Sequence, residues 1–259
     1  MLDAVQYLLG AGSGVLVGFV LGLVGGGGSI LAVPLLVYLV GVPSPHIAIG
    51  TSALAVAANA LTGLLSHVRQ GNVKWRCSLV YAASGIAGAF AGSTAGKAID
   101  GQKLLFLFAI VMIVVGVLML RNRGRRGDPS VVLGPENAPK LIGYGAGTGL
   151  FSGFFGIGGG FLIVPGLVAA TGMPMINAVG SSLVAVSAFG LTTAANYAFS
   201  GLVDWALAGV FIVGGVVGGF LGARLAKQLS GTQGRLTTVF AGLIFVVAAY
   251  MLWKSAGAL

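Results

Sequence analysis

The chain has 259 residues, 57% hydrophobic and only 7% charged, whereas a soluble domain carries roughly 25% charged residues. A soluble globule is excluded, and a polytopic membrane protein is expected. The net charge of +9 is read as basic residues gathered in cytoplasmic loops, not as a nucleic-acid surface.

Apolar segments run in order at about 4–24, 29–41, 46–67, 77–98 and 104–120. The opening MLDAVQ has no basic run before its apolar stretch, so the first segment is read as a retained helix and not a cleaved signal. A polar stretch at 121–140, RNRGRRGDPSVVLGPENAPK, reads as a solvated linker. Segments then resume at about 141–155, 160–171, 176–198, 205–226 and 235–253.

The second five echo the first. GLVGGGGSILAVP at 22–34 is answered 131 positions later by GFFGIGGGFLIVP at 153–165. IGTSALAV at 49–56 matches VGSSLVAV at 179–186, and GNVKW at 71–75 matches GLVDW at 201–205, both at an offset of 130. Several unlike residue types agree in order, which marks an internal duplication. Repeats of five segments insert with opposite orientations, and the charges agree. Arg69, Lys74 and Arg76, the linker arginines with Lys140, and Arg224, Lys227 and Arg235 place eleven of the fourteen Lys and Arg on one side. By the positive-inside rule that side is cytoplasmic, and both termini lie outside.

The second and seventh segments are too short for a comfortable crossing, which takes about 20 helical residues. Both contain a proline, Pro34 and Pro165. Short segments interrupted by Gly or Pro at matched places in two repeats point to a transporter's binding site. The expectation is a broken hairpin in each half, its second helix starting inside the membrane. Such a start aims unpaired N–H groups and a positive dipole end at an anion, with glycines giving it close access. The backbone candidates are Gly25, Gly26, Gly27 and Gly28 with Ser29, and Gly156, Gly158, Gly159 and Gly160. The competing explanation is that these glycines only let helices cross closely.

Uncharged side chains complete the candidate set: Thr51, Ser52 and Asn59 in the first half, and Ser181, Ser182 and Asn196 in the second. Hydroxyls and amides can surround an oxyanion without adding charge, although in membrane helices they also bond locally. All five acidic residues, Asp3, Asp100, Asp128, Glu136 and Asp204, fall in loops or at segment ends. A carboxylate relay and a cation site are therefore disfavoured. No nucleotide-binding fingerprint, metal cluster or catalytic triad is present, so no cofactor, metal or enzymatic activity is expected. The single Cys77 cannot form an intrachain disulfide.

The paired motifs GLVGGGGSILAVPLL with IGTSALAV, and GFFGIGGGFLIVPGL with VGSSLVAV, resemble the TauE/SafE sulfite exporter family, also called TSUP or DUF81. The resemblance covers nearly the whole chain. It implies a membrane transporter of sulfite, an organosulfonate or thiosulfate, where spacing alone implies only an anion. The expected fold is an all-α polytopic membrane protein of about ten helical segments in two inverted five-segment repeats, with broken, re-entrant-like hairpins at the glycine clusters. Its parts are a first membrane repeat at 1–120, a cytoplasmic linker at 121–140 and a second repeat at 141–259. The partners are a small anionic substrate and the bilayer of the cell membrane, with oligomeric state open. Alternatives are carriage of a carboxylate or metal ion, a non-transporting scaffold or assembly factor, and a membrane-embedded enzyme.

Overall fold

The computed structural model describes residues 2–24, 26–121, 128, 131–156, 160–228 and 233–256. The described chain is helical in ten segments, and the all-helical expectation holds. Helix α1 (Ala4–Val24) is followed at once by α2, covering 26–39 in three windings: a 3-10 stretch Gly26–Leu31, an α turn Ala32–Pro34 and a π turn Leu35–Leu39. Then come α3 (Pro45–Arg69), α4 (Trp75–Lys97) and α5 (Gly101–Arg121). The second half supplies α6 (Ala138–Phe155), α7 (Gly160–Thr171), α8 (Met175–Ala198), α9 (Trp205–Gln228) and α10 (Gln233–Ala256). Five helices, α1, α3, α5, α8 and α9, are long and apolar enough to cross a membrane by length and composition.

The irregular winding of α2 has local causes. Glycines hold an α winding poorly, and Pro34 has no N–H to give. Beyond it the Val40 amide reaches back five residues to the Leu35 carbonyl at 2.9 Å, which is the π spacing.

Helix α1 lies along α9, and α6 lies along α4. Helix α3 packs on α8 and α5 on α10; α3 also meets α9, as α8 meets α4. The 3-10 stretch of α2 packs against α7. Exchanging each segment for the one five places later leaves this set of partners unchanged.

Glycine seams set the two closest pairings. A Cβ on Gly14, Gly18 or Gly22 would strike the backbone of Phe211, Gly215 and Gly219 in turn, so α1 and α9 run parallel. Gly88, Gly92 and Gly96 meet Ala146, Leu150 and Phe154 in the same way, so α4 and α6 are parallel too. Small residues that let backbones touch are the usual means of packing helices in lipid, where apolar contact alone gives no preference. Helices α3 and α8 are antiparallel: Gly50 meets Tyr197, Gly190 meets Ala53 and Ala57, and Gly180 meets His67.

The glycine clusters do interrupt the helices, but each break lies nearer the end of its neighbour than the middle. Phe154 packs on Gly96, one residue before α4 ends, and Gly22 packs on Gly219 and Ala223 of α9. In the first half the chain folds back on itself. Gly28 lies on the backbone of Leu21, and the Gln6 amide donates to the Val40 carbonyl at 3.0 Å, so α2 retraces the length of α1. The expectation of breaks at mid-depth is corrected accordingly. The depth of each tip is set by the register of the glycine seams.

Candidate functional site

Of the sequence candidates, Gly25, Gly158 and Gly159 lie outside the described residues. Gly26, Gly27, Gly28 and Ser29 form the first turns of α2. An added Cβ on Gly28 would meet Leu21 N at 2.5 Å and Val17 O at 3.0 Å, so this glycine permits the close fold of the hairpin. Gly156 caps α6 in the left-handed region, at φ 67°, and packs against Ile49. Its carbonyl accepts a 3.4 Å hydrogen bond from the Ser52 hydroxyl, so those two candidates are brought together. Gly160 opens α7.

Thr51 and Ser181 are buried, and their hydroxyls accept hydrogen bonds across the halves. Thr51 Oγ1 accepts from the Asp204 amide at 3.0 Å, and Ser181 Oγ accepts from the Lys74 amide at 2.9 Å. Asp204 and Lys74 each stand just before a helix, α9 and α4, where backbone N–H groups lack helical partners. The two bonds are the same stitch made twice. Ser182 bonds back to the Val179 carbonyl at 2.8 Å. These hydroxyls have structural employment.

Asn196 is fully engaged as well. Its amide nitrogen donates to Ser93 Oγ at 2.6 Å and Thr94 Oγ1 at 2.9 Å. Its side-chain oxygen accepts from Lys97 Nζ at 2.8 Å, and that ammonium also donates to Ser200 Oγ at 2.9 Å. The network ties the ends of α4 and α8 together.

Asn59 differs from all of these. It is 3% exposed, and neither its amide oxygen nor its nitrogen has a hydrogen-bond partner. It sits near the middle of α3, pressed into the notch left by Gly215 of α9. The equivalent notch in the other half, at Gly85 of α4, is filled by Phe189. One half thus fills its notch with a ring, and the other inserts an unpaired amide. Packing does not require that amide. Leaving a buried polar group unsatisfied costs about 1–3 kcal/mol.

Three buried aliphatic hydroxyls share its condition, Ser13 on α1, Ser152 on α6 and Thr193 on α8, as does the phenol of Tyr197 at the end of α8. Seam contacts fix their heights. Ser13 adjoins Gly14, which meets Phe211 of α9, about one turn from the Gly215 that holds Asn59. Ser152 adjoins Gly153, which packs on Ala89 of α4. Thr193 lies between Phe189, packed on Gly85, and Asn196, bonded to Ser93, and so is level with Ala89. Asn59 and Ser13 fall within the middle halves of their own helices, and Ser152 and Thr193, nearer the ends of theirs, stand close to the level of Ala89 in the middle half of α4. Ser13 and Ser152 are absent from the sequence candidates. The signal that could have found them is a hydroxyl set beside a seam glycine, in GSG and FSG.

Among the described residues the buried polar side chains are Ser, Thr and Asn together with the phenols of Tyr81 and Tyr197, and no group of His, Cys, Asp and Glu could hold a metal ion. The interior therefore offers neutral donors and acceptors at mid-height and cations only at the helix ends.

Comparison with known proteins agrees with a transport role. A family described as "Sulfite exporter TauE/SafE" matches residues 10–251. A probable membrane transporter protein of Xylella fastidiosa (strain Temecula1 / ATCC 700964) is 54% identical over 247 residues, covering 94% of each chain. The probable membrane transporter proteins YdhB and YunE of Bacillus subtilis (strain 168) are more distant. YdhB is 26% identical over 241 residues, 89% of this chain and 96% of its own. YunE is 28% identical over 237 residues, 83% and 87% respectively. No solved structure matches.

Proposed function

This chain belongs to the sulfite exporter TauE/SafE family of membrane transporters, and on that premise we propose that it carries a small sulfur oxyanion, such as sulfite or an organosulfonate, out of the cell. The observation that carries the reading is Asn59, an amide kept buried and unpaired where the other half of the molecule places Phe189. An amide N–H and the hydroxyls of Ser13, Ser152 and Thr193 can solvate sulfonyl oxygens without fixing a charge in the membrane. The backbone starts at the glycine breaks serve in this reading as the approaches to that middle zone. Export needs no coupling ion. A membrane potential of about 100 mV, negative inside, favours the exit of each negative charge by roughly 2.3 kcal/mol.

The test is efflux from proteoliposomes holding the purified protein. Sulfite or methanesulfonate should leave faster than from empty vesicles, and faster than acetate. Equal rates for protein-bearing and empty vesicles would sink the proposal.

We place the linker in the cytoplasm and the termini outside, in the cell membrane, with the halves as inverted repeats. The charge distribution supports this, as do the exchange symmetry of the helix contacts and the antiparallel pairing of α3 with α8. In a Cys77→Ser background, cysteines at exposed Val132 and Ser200 can be labelled in intact cells with an impermeant thiol reagent. Labelling at Ser200 alone is expected; labelling at Val132 alone reverses the orientation.

A further inference from the structure

We infer that the transported species is singly charged: hydrogen sulfite or a monosulfonate passes, and doubly charged sulfite, sulfate and thiosulfate do not. The inference rests on the sulfur-oxyanion reading above and adds a charge rule to it.

The reason is the placement of charge. Among the described residues every Lys, Arg, Asp and Glu lies in a loop or within five residues of a helix end. Asn59, Ser13, Ser152 and Thr193, the buried unpaired groups at mid-height, are all neutral. The cost of taking an ion from water into a low-dielectric interior grows as the square of its charge, so a dianion faces about four times the penalty of a monoanion. Fixed cations could offset that, but Lys97 is tied to the end of α4 by its hydrogen bonds to Asn196 and Ser200, which hold its charge there without neutralising it. An amide and a few hydroxyls supply enough donors for one delocalised charge on three oxygens. They supply no counter-charge for two.

The protonation equilibrium of sulfite makes the rule measurable. Wild-type protein in proteoliposomes is given a fixed total of sulfite at increasing pH, with methanesulfonate and sulfate in parallel. Methanesulfonate is singly charged throughout. His46 and His67, the two imidazoles, lie at opposite ends of α3, and methanesulfonate serves as the control for any pH effect that acts through the protein. The expected result is a sulfite flux that follows the hydrogen sulfite fraction, falling about tenfold per pH unit above the last pKa of the acid. Methanesulfonate flux should stay level, and sulfate flux should match empty vesicles. Sulfite flux that holds steady or rises with pH, or sulfate carried as fast as methanesulfonate, overturns the rule while leaving the sulfur-anion reading intact. If sulfite and methanesulfonate both fail while acetate passes and its doubly charged homologue malonate does not, the rule stands and the sulfur reading falls.

Discussion

Asn59→Leu should give a protein that is more stable than the wild type and no longer transports. The amide is buried with both polar atoms unpaired, and replacing it by an apolar group removes a penalty of about 1–3 kcal/mol. Leucine is larger, and overpacking a tight core typically costs 1–3 kcal/mol. The Gly85 notch of the other half already accepts the bulk of Phe189, however, so the equivalent notch at Gly215 has room to adapt. Asn59→Ala separates the two effects, since it removes the amide without adding bulk. Both variants should lose most of their flux, because the donor and acceptor at mid-height are gone. Thr51→Ala and Ser181→Ala are the contrasting pair. Each strands the amide that opens a helix in the other half, so each should lower stability by about 1–3 kcal/mol and leave flux per folded molecule near normal. Thermal melting in detergent, read beside flux in vesicles, gives both quantities. Normal flux in a folded Asn59→Leu protein would remove Asn59 from the pathway.

Which parts of this arrangement the sequence could announce depends on how local their causes are. Helix segments come from runs of apolar residues, so α3, α8 and α9 fall where hydropathy puts them. The duplication shows because matched residues recur at a fixed offset, and the glycine clusters do interrupt the chain. The depth of those interruptions was not legible. It depends on how α6 slides along α4 and α1 along α9, a register set by contacts such as Gly96 with Phe154. The same limit applies to Thr51 and Ser181. Their pairing as twins was visible, but their partners lie 153 and 107 positions away, so the two stitches were not. Asn59 carries its clue in the sequence itself. Its equivalent 130 positions later is Phe189, and a polar residue that departs from its own repeat marks a place where the duplication stopped being symmetrical.

Gly156→Ala and Gly28→Ala should both destabilise the protein, and only the first should be rescued by a second substitution. Gly156 caps α6 with φ at 67°, where an L-residue pays roughly 1–2 kcal/mol. A Cβ there would also run into the Ile49 side chain, which lies on α3 one turn from Ser52. Shortening that obstacle with Ile49→Ala opens the space, so the double variant should recover part of the loss. A coupling of about 0.5–3 kcal/mol is the size expected for residues in direct contact. The strain of the left-handed backbone remains, and recovery stays incomplete. At Gly28 the obstacle is the Leu21 backbone, 2.5 Å from the ideal Cβ at its nitrogen and 2.9 Å at its Cα. No side-chain change at Leu21 moves those atoms, so Leu21→Ala should fail to rescue Gly28→Ala. The folded fraction by size exclusion and the melting temperature report the cycle, and flux per folded molecule reports transport. The first-half break would then depend on the backbone fit of α2 against α1, and the second on a side chain of α3. Rescue of Gly28→Ala by Leu21→Ala would show that the hairpin arms are held apart by side chains, and the close fold of α2 onto α1 would have to be abandoned.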